Sequence, residues 1–159
     1  MADFTDIVTE FKTIATAQSG INSFKYAHAF ELNESRSSSK PMLLLHKQTA
    51  YAFPTFDRKI KQFNVTVGIY DNYFQSEKAT KTYANKQKDL ENLIEQFIRE
   101  FRKRTTGQTA QITSAQNWFM SQQVNLELIE AVGTDKLIGV EATFEISVFA
   151  DCDEGTFSY

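Results

Sequence analysis

The side chains that most often do chemistry are few in this sequence and lie far apart. Its two histidines, His28 and His46, each fall in a stretch with strand periodicity and without a cluster of Cys, His and Glu at ligand spacing. A metal site needs three or four converging ligands. Hydrogen-bonded strand histidines are therefore the favoured interpretation, and we predict no metal site.

The single cysteine, Cys152, has acidic neighbours in the segment Asp151–Glu154. Nearby carboxylates raise the pKa of a thiol, whereas a nucleophilic cysteine needs the opposite environment. The segment also lacks the glycine turn and the later bidentate Glu of a calcium loop. An acidic tail is the favoured interpretation, and one cysteine excludes an intrachain disulfide.

Three carboxylates, Glu127, Glu141 and Glu145, occupy the outward side of two alternating segments near the C-terminus. A pair of carboxylates can act as acid and base, as in glycosidases, but carboxylates are also ordinary on the polar face of a sheet. The sequence has no nucleophile elbow, phosphate-binding glycine loop or dinucleotide fingerprint. We predict no catalytic residues and no cofactor.

Cations cluster at one place only, in Arg99, Arg102, Lys103 and Arg104. Cations in the last turn of a helix oppose the negative helix end, which is the simplest explanation. The functional alternative is a patch that docks an acidic partner surface, such as the tail of an adjacent copy.

The bulk composition favours one soluble domain over residues 1–159. A chain of 159 residues can bury about 70% of its unfolded surface. The net charge of −3 argues against a general duplex-DNA binder. The acidic N-terminus is no secretory signal, and no apolar run approaches the roughly 20 residues that span a bilayer. We expect a protein made in the cytoplasm, with no membrane partner.

Two helices are predicted from apolar residues at helical spacing. The longer, Ala79–Arg104, is the central element, and Gly107 follows it as a stop signal. A shorter one covers Asp3–Gln18. Leu93 and Ile98 widen the line of recurring positions on the long helix into an apolar stripe. The recurring positions are Tyr83, Gln87, Leu90, Ile94, Phe97 and Phe101.

Strands are predicted where apolar residues alternate or run continuously. In the last two, the even-numbered residues, including Leu126 and Leu128, form the apolar and therefore inward side. The predicted strands are Asn22–Leu32, Met42–Gln48, Lys59–Tyr70, Asn117–Ala131 and Leu137–Ala150.

Several connections lack periodicity. The serine-rich loop 33–40 and the tail 151–159 are predicted to be mobile, and residues 108–116 fit either a loop or a continued helix. The segment 50–58 holds Tyr51, Phe53 and Phe56. Three aromatic residues in one loop either fold back onto the core or form a contact surface.

The order of these elements predicts an α+β fold. No parallel β-helix-β repeat appears, so we expect a mainly antiparallel sheet of four to five strands, with a long C-terminal hairpin and two helices packed on one face. The hairpin register has two candidates. One places Glu127 opposite Glu141, a like-charge pair. We prefer the other, which places Glu127 opposite Thr143 and Asn125 opposite Glu145 across a turn at Thr134–Lys136.

This layout resembles the tail terminator proteins of long-tailed bacteriophages and related head–tail connector proteins. The resemblance rests on size and element order, from the N-terminal helix to the final hairpin ending GVEATFEISVFAD. It implies a non-enzymatic virion protein that forms a ring, a hexamer or dodecamer, at the end of the tail tube. Its partners would be the tail tube and the head connector, and DNA would pass through without specific binding.

Within such a ring the aromatic residues, 13% of the chain, would serve subunit interfaces. Candidate interface residues are Tyr51, Phe53, Phe56, Arg99 and Arg102. Candidate channel-lining residues are Glu127, Glu141 and Glu145, whose charge would keep DNA from sticking. Two alternatives stay open: a ligand- or peptide-binding module that uses the aromatic residues of 51–56, and an enzyme with a carboxylate site.

Overall fold

The computed structural model describes residues 4–28, 39–48, 50–52, 60–72, 82–104, 118–132 and 137–149. The predicted α+β class is confirmed, and the sheet is mainly antiparallel, as expected. Residues 33–38, 53, 56, 108–116 and 151–159, on which other predictions fall, lie outside the described residues. The elements are α1 (Phe4–Ala17), β1 (Ser23–Ala27), β2 (Met42–His46), β3 (Ile60–Asn72), α2 (Thr82–Lys103), β4 (Trp118–Met120), β5 (Asn125–Val132) and β6 (Leu137–Phe149).

The described strands form one six-stranded sheet, one strand more than the largest number predicted. The order is β1-β2-β3-β6, and β4 and β5 both lie on the outer side of β6. β1 and β2 are parallel, whereas every other neighbouring pair is antiparallel. The central β3–β6 ladder runs from Ile60 opposite Phe149 to Asn72 opposite Leu137. β3 thus continues two residues beyond its predicted end at Tyr70.

The two faces of the sheet carry different clusters of buried side chains. The first face, defined by Val65, Val67 and Ile69 of β3, belongs to the large core cluster, which also contains buried residues of α1 and α2. The second face, defined by Gly68, Tyr70 and Glu141, carries a small cluster with no helix residue among the described residues. It consists of Ala27, Met42, Leu44, Tyr70 and Leu137.

The helices show the predicted apolar stripes. On α2 the stripe is buried at Leu90, Ile94, Phe97 and Phe101. Phe11 of α1 makes edge-to-face contacts with Phe97 and Phe101, with ring centroids 5.1 and 4.6 Å apart. Aromatic rings prefer this geometry because the positive edge of one meets the negative face of the other. The two helices therefore meet through aromatic side chains.

The preferred register between β5 and β6 was wrong. Asn125 lies opposite Thr143, and Glu127 lies directly opposite Glu141. The preference rested on avoiding this like-charge pair, but one such pair costs only about 1 kcal/mol or less and does not decide the register. The register also shifts between Ile129 and Val132, near the turn. The like-charge pair that we had rejected is therefore present.

The predicted strand Asn117–Ala131 was also wrong as a single element, because it is interrupted at residues 121–124. Met120 pairs with Ile146 and Asn125 pairs with Thr143, so this strand contains two more residues than β6 does between these pairs. Arg102 of α2 donates hydrogen bonds to the carbonyl oxygens of Ser121 at 2.7 Å and Gln122 at 3.1 Å. The guanidinium thus donates hydrogen bonds to backbone carbonyls at the interruption, where the regular pairing between strands stops.

We expect Arg102→Met to lower the free energy of unfolding by about 1–3 kcal/mol, because the partly buried Ser121 carbonyl and the exposed Gln122 carbonyl would both lose their donor. The matched control is Arg99→Met on the same helix, where the side chain is 76% exposed and pairs with Glu95 at 3.8 Å. Exposed pairs of this kind contribute about 0–1 kcal/mol. Urea denaturation of both variants measures the difference, and equal losses would contradict the role given to Arg102.

Candidate functional site

Two exposed leucines lie next to each other on one side of the edge strand β5. Leu126 and Leu128 point to the first face, on the same side as Ala142 and Val140, yet they are 42% and 49% exposed. Both were predicted to be inward. Their side of the strand was assigned correctly, but β5 lies at the sheet edge and neither side chain belongs to the large core cluster. Exposed apolar residues on a sheet edge are typical of an interaction surface.

Tyr51, one of the predicted interface residues, borders an open groove of about 520 Å³. Its side chain is 54% exposed, its ring centroid is 5.5 Å from that of Phe63, and the Lys61 Nζ lies 5.2 Å from the ring centroid. Phe4 and Tyr26 also line the groove. Phe53 and Phe56, predicted to act with Tyr51, lie outside the described residues. The groove offers apolar walls and one cation.

The predicted basic patch is largely engaged within the chain. Arg102 donates to the backbone of residues 121 and 122, and Lys103 lies 3.7 Å from Glu100. Arg104 contacts the nearly buried Glu10 of α1, and also Glu100. An ion pair with buried Glu10 holds the end of α2 against α1. The pKa of Arg104 is raised: burial lowers it, but hydrogen bonds and attraction from Glu10 and Glu100 outweigh that effect.

The three predicted channel-lining carboxylates share the second face, but their environments differ. Glu127 and Glu145 are exposed, whereas Glu141 is half-buried. Glu141 accepts a hydrogen bond of 2.5 Å from the Tyr70 hydroxyl, and its carboxylate lies 3.6 Å from His46 Nε2. Glu145 lies opposite Asn64 on the neighbouring strand. Only Glu141 therefore belongs to a cluster of ionisable groups.

That cluster joins His46, Tyr70 and Glu141 from three adjacent strands. The Tyr70 hydroxyl donates its hydrogen bond to Glu141, and His46 Nε2 lies 3.1 Å from the same hydroxyl oxygen. Burial raises the pKa of Tyr70 far above its usual value, and the hydrogen bond to Glu141 raises it further. The phenol therefore stays protonated and acts as a fixed donor. The buried Tyr70 hydroxyl lies between the half-buried His46 and Glu141 side chains, and its hydrogen bond to Glu141 stabilises this part of the sheet.

Two glycines make room for the Tyr70 ring on the second face. A Cβ added at Gly68 would lie 2.7 Å from Tyr70 Cε2, and one at Gly139 would lie 2.8 Å from the Ile69 carbonyl oxygen. Both distances are shorter than van der Waals contact, so neither position has space for a side chain. Sequence reasoning missed this cluster, although Tyr70 shares its side of β3 with polar Asn64 and Thr66, where a tyrosine needs an explanation.

The stability of the fold should depend on pH through His46. Burial lowers the pKa of His46 from its ordinary value of 6.5, and attraction by Glu141 opposes this only in part. The unfolded chain then binds more protons below pH 6.5 than the folded chain does. The stability that neutral His46 contributes is complete above pH 6.5 and is lost as the pH falls from there through the lower folded-state pKa.

We therefore expect wild-type protein to lose more stability between about pH 7.5 and about pH 5.5 than His46→Gln, which keeps a hydrogen-bonding side chain but cannot titrate. Urea midpoints at several pH values measure both slopes. Because other groups titrate in both proteins, the difference between the slopes isolates His46. Parallel slopes would contradict the assignment.

Two further properties concern the described residues alone. No group of three or more His, Cys, Asp or Glu side chains in the ranges given above is arranged to hold a metal ion. No helix in those ranges has the length and apolar character needed to cross a membrane.

No protein-family model and no curated protein matches this chain.

Proposed function

We propose that this chain is a structural virion protein, a tail terminator that forms a ring at the end of a phage tail tube and joins the tail to the head connector. The proposal includes the finer features of the expected fold, a long C-terminal β5–β6 hairpin and both helices packed on one face of the sheet. It also includes a hexameric or dodecameric ring. A different ring protein of the phage neck is the nearest alternative.

The observation that carries the proposal is the apolar edge strand. Leu126 and Leu128 expose a large part of their side chains on a strand whose outer edge has no partner among the described residues. Burying such side chains against another chain contributes about 25 cal/mol for each Å² of apolar surface. A subunit closes into a ring when such an edge binds a different surface of the next copy and the rotation between copies is cyclic.

In this proposal the second face lines the channel. Glu127 and Glu145 are exposed there, and Glu141 adds a third carboxylate. Several copies of this face around a channel would create a negative potential that repels the phosphate backbone. DNA would then pass through without specific binding. A ring structure with these three side chains on its outer rim would contradict this arrangement.

The test is the mass of the purified chain in solution, measured by light scattering over a hundredfold range of concentration, with electron microscopy of the same sample. We expect closed rings of about six or twelve copies. Leu126→Ser combined with Leu128→Ser should shift the sample towards monomers. The matched control is Phe119→Ser on β4, which removes a side chain of similar exposure, 43%, on the second face of the sheet and should leave the mass unchanged. A wild-type chain that stays monomeric throughout would contradict the ring.

The assignment to a phage needs a second measurement. Gold-labelled antibodies against this chain, applied to purified particles of the phage that encodes it, should label the junction between tail and head. Label confined to the distal tail tip, or no label on intact and detergent-opened particles, would contradict a tail terminator.

The groove beside Tyr51 favours a second candidate, a small ligand- or peptide-binding module. Its walls include Phe4, Tyr26 and Phe63, and Lys61 provides one cation. A monomer that binds acidic, aromatic peptides would support this function. Loss of that binding in Lys61→Gln would assign it to the groove.

A further inference from the structure

The strands at the two edges of the sheet, β1 and β5, run in opposite directions. In the described part of the chain β1 pairs with β2 alone and β5 pairs with β6 alone. From the pairings across the sheet, β1 and β6 run in the same direction and β5 runs in the opposite one. If a second copy continued the sheet in the same orientation, its β1 would meet β5 as an antiparallel neighbour. Antiparallel pairing is the slightly more stable arrangement.

The residues at the two edges also lie in the same rows across the sheet. Residues 23–26 of β1 lie in the same rows as residues 126–129 of β5. Continuation without a stagger along the strands would therefore bring these two four-residue segments into full overlap. One row runs Lys25, Leu44, Gly68, Glu141 and Glu127.

In that overlap the chemistry of the two edges is complementary on both faces. On the first face Leu126 would lie opposite Tyr26 and Leu128 opposite Phe24, so that apolar residues meet. On the second face Glu127 would lie directly opposite Lys25. A shift of one residue would exchange the faces and destroy both matches.

The like-charge pair between β5 and β6 supports this pairing of two copies. Glu127 lies directly opposite Glu141, which destabilises the β5–β6 ladder. A lysine on the other side of Glu127 would offset that repulsion. Lys25 is half-buried and also interacts within its own chain, so the contact with Glu127 would be added to an interaction that Lys25 already makes.

We propose that copies of this chain join head to tail by pairing β5 of one copy with β1 of the next, with Glu127 opposite Lys25, so that the sheets continue from subunit to subunit. This deepens the ring proposed above and rests on it. The partner surface is a second copy of this chain, and strand addition supplies backbone hydrogen bonds together with side-chain selectivity.

Charge reversal tests the pairing in the full-length chain. We expect Glu127→Lys and Lys25→Glu each to weaken association about tenfold per contact, because each places like charges face to face. The double variant K25E/E127K should regain wild-type association. The matched control Glu145→Lys makes the same charge change at an exposed position of the second face away from the edge, and it should leave the mass unchanged. Sedimentation velocity over a concentration series measures the association of the wild type and the four variants.

A mixture of the two single variants gives the sharpest result. In a head-to-tail ring each contact between unlike copies restores an opposite-charge pair, so an equal mixture should form rings of alternating subunits that neither variant forms alone. Misfolded variants cannot produce this rescue. Single variants that assemble like wild type, or a mixture that shows no rescue, would overturn the β5–β1 pairing while leaving the ring itself intact. A monomeric wild type would overturn both.

Discussion

Replacement of Phe11 by alanine is expected to lower the free energy of unfolding by about 3–5 kcal/mol, the usual cost of a large cavity in a core. Phe11 is fully buried and its ring contacts Phe97, Phe101 and Phe144. A cavity here would separate α1 from both α2 and the sheet. Thermal and urea denaturation measure the loss.

The matched control is Phe119→Ala, which removes the same side chain at a position that is 43% exposed on β4. We expect a smaller loss there, of about 1 kcal/mol, because nearly half of the residue is already exposed to solvent and its removal leaves no enclosed cavity. Similar losses at the two positions would mean that the aromatic contacts between the helices do not carry the stability assigned to them.

The second large effect is expected at Gly68. Gly68→Ala should cost about 2–4 kcal/mol, since the new methyl group would force the Tyr70 ring away from the sheet and break its hydrogen bond to Glu141. In a Tyr70→Leu background the same substitution should cost much less, because the ring that obstructs it is absent. A double-mutant cycle measures this coupling.

Thr66→Ala is a suitable control for that cycle, because Thr66 lies two residues earlier on the same face of β3 and its hydroxyl is 3.4 Å from that of Thr143. We expect Thr66→Ala to show little coupling to Tyr70. Additive losses for Gly68→Ala and Tyr70→Leu would contradict the close approach of ring and backbone.

Local patterns in the sequence predict much of this fold because burial repeats with the period of each element. The stripe from Leu90 to Phe101 predicts α2, and the alternation from Phe63 to Ile69 predicts β3 with the correct residues buried. Both signals come from a single element in contact with a continuous core. The predicted boundaries are correct to within a few residues for the helices.

Features that depend on distant parts of the chain were not predictable in the same way. The exposure of Leu126 follows from the position of β5 at the sheet edge, not from its own alternation. The interruption at residues 121–124 depends on a donor supplied by Arg102 from another element. The Tyr70 cluster needs His46 and Glu141 on the adjacent strands. No local pattern reports which strands become neighbours.

The β3–β6 ladder has a consequence for how the chain folds. Its thirteen residue pairs join the segment 60–72 to the segment 137–149, so the centre of the sheet cannot form during synthesis until the C-terminal part has left the ribosome. Contacts so distant in sequence slow folding. Until then the apolar residues of β3 have no partner on β6, and the nascent chain is most prone to aggregate in that interval.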